Sequence, residues 1–234
     1  MNFLSHAIPY LDQPLVAVAT GVPDWLSVID RKIRARERMA LVAIQSEAEV
    51  ENGREDRAVI EIATGILHHI RDDRWFHETA AFVELNLALA VSLRDLLPGD
   101  RGFRPMFVGH ILIEIYLDAF WIRDDPAIAK RYYETIGRCS SRLIEAGVNR
   151  ITGKPTDRMV ATIDRFCEVQ FLYDYLDDDR LLMRLNQVMR RVGLSDLPRS
   201  IVPWLHDARD LVESRRTSLL TRPDGSTPYP SLPR

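Results

Sequence analysis

Cysteine is nearly absent. Cys139 and Cys167 are the only two, and without a Cys-x-x-Cys spacing they exclude a disulfide scaffold and a thiolate zinc knuckle. Both lie in apolar helical patterns and read as buried free thiols. The chain also lacks a glycine-rich lysine loop, a Gly-x-Ser-x-Gly elbow and a His-Glu-x-x-His pair, so nucleotide cradling and serine or cysteine nucleophile chemistry have no local support. No run approaches the ~18 uninterrupted apolar residues of a membrane span. The apolar residues 15–19 have no basic segment before them and are soon followed by Pro23-Asp24-Trp25, unlike a signal peptide. The cytoplasm is the expected location. Strong charge of one sign is missing too: 31 basic and 34 acidic residues leave a net charge of −3, which argues against a nucleic-acid partner.

What the sequence has is helix. Hydrophobic residues make up 46% of 234, enough for a core. They recur at three- and four-residue spacing, while strand-like alternation is hard to find. The periodicity and breakers predict helices over 2–11, 14–19, from 23, 33–50, 54–73, 78–97, 104–123, 126–147, 156–175, 180–192 and 195–220. Gly147 reads as a helix end and Thr156-Asp157 as a cap. The expected architecture is all-α, a single compact domain of eight to ten helices over 1–220. Residues 221–234, rich in proline with few apolar side chains, read as a mobile tail.

Six histidines are present, and their placement is the most informative feature. His69, Asp73 and His77 are spaced i, i+4, i+8, within about 80° of one helix face. His110, Glu114 and Asp118 repeat that spacing on a very apolar segment. Chance would give about 0.2 such triples. Buried carboxylates on an apolar helix need partners, and a divalent ion bound by carboxylate and imidazole is one way to supply them; a solvated face or an ion pair with arginine is the other. Asp24 and His6 are further candidates, set against a helix-start acid and a packed core histidine. Arg71 and Arg74 flank Asp73 and could hold a phosphate through their guanidinium forks.

The opening Met1-Asn2-Phe3-Leu4-Ser5-His6 resembles the start of the bacterial acyl-carrier-protein phosphodiesterases. Gly21-Val22-Pro23-Asp24-Trp25, Gly65-Ile66-Leu67-His68-His69-Ile70-Arg71-Asp72-Asp73, Ile115-Tyr116-Leu117-Asp118-Ala119-Phe120 and Tyr173-Asp174-Tyr175-Leu176 resemble later blocks in the same order, and the likeness runs to about residue 215. It implies an HD-like helical hydrolase, usually manganese-dependent, that releases the phosphopantetheine arm of holo acyl carrier protein by cleaving a phosphodiester. The matched positions are His6, Asp24, His69, Asp73 and Asp118. Four positions depart: Leu67 and Ala119 stand where the family has histidine, and Phe76-His77 replaces its Thr-Asp. His77, His110 and Glu114 offer replacement ligands.

His69-x-x-x-Asp73 and His110-x-x-x-Glu114 are also similar, more loosely, to the zinc-dependent phospholipase C and single-strand nuclease families, whose helical fold holds a multi-zinc site. The expected protein is thus a metal-dependent phosphodiester hydrolase. Its ligands are drawn from His6, Asp24, His69, Asp73, His77, His110, Glu114 and Asp118. Asp73, Arg71 and Arg74 stand at the reaction. Manganese is the first choice of ion, with zinc or iron as alternatives, and the substrate is acyl carrier protein or a small phosphodiester. The basic run at 31–38 would suit an acidic carrier protein. The alternative is a non-catalytic helical protein that binds a partner and carries an eroded site.

Overall fold

The computed structural model describes residues 1–49, 53–99 and 104–229. It is all-α: among the described residues there are thirteen α-helices, three 3-10 helices and no strand. The helices are α1 (Phe3–Ala7), α2 (Pro14–Ala19), α3 (Val22–Ile29), α4 (Glu37–Glu49), α5 (Arg54–Glu78), α6 (Ala80–Leu96), α7 (Arg104–Asp124), α8 (Pro126–Arg138), α9 (Ser141–Thr152), α10 (Met159–Val169), α11 (Asp178–Arg191), α12 (Val202–Ser214) and α13 (Arg216–Leu219). The excess over the expected eight to ten comes from short pieces and from divided segments, 126–147 falling into α8 and α9. The segment 195–220, for example, divides into a 3-10 helix at Arg199–Ile201, α12 and α13.

The helices fall into two compact units, each built from separate stretches of chain. One comprises Phe3–Arg74 and Ala127–Gln170, the other Met1–Asn2, Trp75–Pro126 and Phe171–Arg234. We call them the α1–α5 unit and the α6–α7 unit. The long helix α5 contributes to both, with its last turn from Trp75 belonging to the second.

In the α1–α5 unit, Phe3, Trp25 and Phe166 form an aromatic core, with ring centroids 4.8 to 5.9 Å apart. Gly65 lets α5 lie directly on α2: a Cβ there would stand 2.4 Å from the Val16 carbonyl oxygen. Gly147 does not end a helix. It lies inside α9, where a Cβ would meet Ile62 Cδ1 at 2.6 Å, so its role is close packing. The stop comes at Gly153, in the left-handed region at φ 63°. Nor does Thr156-Asp157 cap α10. The Glu145 carboxylate, from α9, accepts the amides of Met159 and Val160 at 3.0 and 3.2 Å. A cap supplied by another helix leaves no local sequence signature. Cys139 and Cys167 are free and half-buried.

In the α6–α7 unit, α6 and α7 pack along their lengths, with Gly109 of α7 against Asn86 and Leu89 of α6. Helix α7 is long and apolar enough to cross a membrane by length and composition, yet 72% of its apolar window is buried, as in a core helix. The buried Tyr116 hydroxyl donates to the Leu205 carbonyl at 2.7 Å, and the Arg209 guanidinium lies 4.7 Å from its ring centre. Residues 221–229 do not stand off as a tail. Tyr229 is buried, its ring is 5.0 Å from that of Trp121, and Arg222 lies over Trp75. One well-placed aromatic anchors a segment whose average composition suggests none. Residues 230–234 lie outside the described part.

Candidate metal centres

Helix α5 carries His68, His69, Asp73 and His77, and α7 carries His110, Glu114 and Asp118. The structure gathers these residues into two clusters, and it divides the His69/Asp73/His77 stripe between them.

The first cluster, in the α1–α5 unit, is His6, His69 and Asp73, each offering a ligand atom within 4.8 Å of the others. His6 comes from α1, a five-residue helix in which every side chain is buried. Its Nε2 lies 3.1 Å from Asp73 Oδ1, and His69 Nε2 lies 3.4 Å from Asp73 Oδ2. The two imidazoles stack at 4.1 Å. Burial pushes His6 down to about 3, with the charge of His69 adding to the effect, so this ring is neutral, the form that binds metal. At His69 burial also lowers the pKa, but Asp73, and more weakly Asp24, outweigh it and hold the value up. For Asp73, burial is overcome by the positive charge around it, His69 included, and the carboxyl is held well below its usual range.

The second cluster, in the α6–α7 unit, is His77, His110 and Glu114. One oxygen, Glu114 Oε1, lies 2.8 Å from His77 Nε2, 3.3 Å from His110 Nε2 and 3.1 Å from the Met1 amino nitrogen. Burial opposes ionisation of Glu114, and the surrounding positive charge and hydrogen bonds from His110 and His77 override it, driving the carboxyl far down. The Phe82 ring packs 4.8 Å from His77 and 5.0 Å from His110, fixing both imidazoles from one side.

The donor chemistry fits a divalent ion at each place. Two imidazoles and one carboxylate form a mixed set suited to first-row metals. In the first cluster, Nδ1 of His6 and Nδ1 of His69 are buried without a hydrogen-bond partner, while each Nε2 faces Asp73. Native proteins rarely leave such groups unmatched unless water or an ion completes them.

The remaining expected residues lie elsewhere. Asp24, half-buried in the first turn of α3, acts on His69 through its charge but belongs to neither cluster. Asp118 is fully buried on α7, one turn beyond Glu114, and also belongs to neither. Arg71 and Arg74 are turned to Glu37 of α4, at 3.1 and 2.6 Å, so a phosphate would have to break that pairing to reach them. Sequence reasoning missed the pair formed by Tyr10 Oη and His68 Nδ1 at 2.8 Å; the two lie 58 positions apart, and no local spacing signals the pairing.

No protein-family model, curated protein or solved structure matches this chain.

Proposed function

We propose that the protein is a metal-dependent phosphodiester hydrolase with one divalent ion in each cluster. The observation that carries the reading is that each i, i+4 pair, His69/Asp73 and His110/Glu114, meets a further histidine, giving two three-donor sets. A divalent ion supplies Lewis acidity to water and to a phosphoryl oxygen. The chain's own part is to present imidazoles and carboxylates at fixed positions. Manganese, zinc and iron all suit these donors.

The ordered likeness to the acyl-carrier-protein phosphodiesterases supports holo acyl carrier protein as substrate. So does the surface, where Arg31, Lys32, Arg34, Arg36 and Arg38 are all exposed and offer positive charge to an acidic carrier. The second reading, a zinc-dependent phosphodiesterase like phospholipase C or the single-strand nucleases, is favoured by the joining of His77 to His110 and Glu114, a set outside the positions matched to the first family.

The test is turnover by the metal-loaded chain of holo acyl carrier protein, read as released phosphopantetheine, beside a chromogenic phosphodiester. Turnover of either, abolished by chelation and restored by manganese or zinc, is expected. Inertness toward both, with the metal bound, would leave a non-catalytic protein that binds its ions for structure alone.

A further inference from the structure

The two clusters share donor types but differ in access to solvent. In the first, the His6 side chain is 0% exposed, that of His69 7% and that of Asp73 29%. In the second, His77 is 29% exposed, His110 37% and Glu114 17%. The buried pair of imidazoles also ties two elements together. Helix α1 has five residues, far below the length at which a helix is stable on its own, and His6 gives it a polar link to Asp73 of α5. An ion among His6, His69 and Asp73 would staple α1 to α5. In the second cluster Phe82 packs on both imidazoles, Phe76 lies 5.4 Å from His77 and the Met1 amino group meets Glu114, yet both histidines keep part of their side chains in solvent. Three protein donors leave a four-coordinate ion one further position at either cluster, and only in the second are both imidazoles partly exposed, so that a ligand from solution can take it.

We propose that the clusters hold ions of two kinds: a closed, structural ion at His6, His69 and Asp73, and an open, exchangeable ion at His77, His110 and Glu114 whose free position takes an anionic oxygen ligand such as phosphate. The proposal rests on the metal-binding part of the function proposed above and assigns the reacting group to the second cluster.

The test uses the full chain loaded with zinc and mixed with a chromophoric chelator. Two release phases of equal size are expected, the first at least about tenfold faster than the second, and inorganic phosphate should slow the fast phase alone. His110→Ala should lose the fast phase and keep the slow one; His6→Asn should do the reverse. In the unaltered protein, Tm should hold when the fast ion is removed and fall when the slow ion follows, a readout that remains if His6→Asn does not fold. Release of both ions in one phase, or a fast phase that survives His110→Ala, would overturn the assignment. A chain that shows both phases yet turns over no phosphodiester would sink the hydrolase reading and leave this one standing. Turnover with a single release phase would do the opposite.

Discussion

Glu114→Gln is expected to reduce phosphodiester turnover by about 100-fold or more and to remove one of two bound ions. The substitution keeps the shape of a half-buried side chain and deletes its charge. That charge is what gathers the second cluster, because a single oxygen of Glu114 meets both His77 and His110. An amide oxygen is a poorer metal donor than a carboxylate, and its NH2 group would face imidazole nitrogens that need an acceptor or a cation. The helical circular-dichroism signal should be retained, since α7 is held by its apolar sides: Leu112, Ile113, Tyr116 and Phe120 are all buried. Steady-state kinetics beside metal analysis of the same sample makes the comparison. Undiminished turnover at full metal content would remove Glu114 from the reaction.

Gly65→Ala is expected to be the most damaging single methyl group in the α1–α5 unit. The added Cβ would stand 2.4 Å from the Val16 carbonyl oxygen and 2.7 Å from Ala19 Cβ. One neighbour is backbone and the other has no rotamer to change, so helix α2 must shift as a whole. Overpacking of this kind costs about 1–3 kcal/mol and occasionally more, enough to lower Tm by several degrees even after alanine's better helix propensity, about 1 kcal/mol, is credited. Gly137→Ala supplies the control. It too lies in a helix, and nothing stands within 4 Å of a Cβ there, so the propensity gain is unopposed and stability should rise slightly. Thermal denaturation of the two variants reads both signs in one experiment.

The breakers and the 3.6-residue period carry most of the secondary structure. Pro14, Pro126, Asp177 and Gly193 lie where helices begin or end as expected, because each acts through its own backbone or side chain. The misses have a common cause. Gly147 looks like a stop and is a packing notch, since what it accommodates, Ile62, is 85 residues away in sequence. Glu145 caps α10 from another helix, and Tyr229 fixes a segment that composition alone describes as loose. Each depends on a partner that no local window contains.

The candidate site divides in the same way. The pairs His69/Asp73 and His110/Glu114 are legible because one helical turn sets their spacing. That His77 turns to Glu114 while His6 turns to Asp73 depends on how the helices pack. The i+8 spacing therefore marks five residues of the two clusters but partitions them differently, setting His77 with His69 and Asp73 and adding Asp118, which belongs to neither. Arg71 and Arg74 read as phosphate ligands from proximity to Asp73 along the chain, and the structure adds a partner no local window contains: Glu37, 34 and 37 residues away, meets both.

The central claim is that both clusters hold metal. The most direct measurement is the metal content of the full chain, purified without chelator or histidine tag and then offered manganese or zinc. Inductively coupled plasma mass spectrometry would compare it with His69→Ala/Asp73→Ala and His77→Ala/His110→Ala. Two ions per chain, falling to one in each double variant, is the predicted result. A chain that takes up no ion when metal is supplied would contradict the account, and would make the two clusters hydrogen-bonded ion pairs of the core.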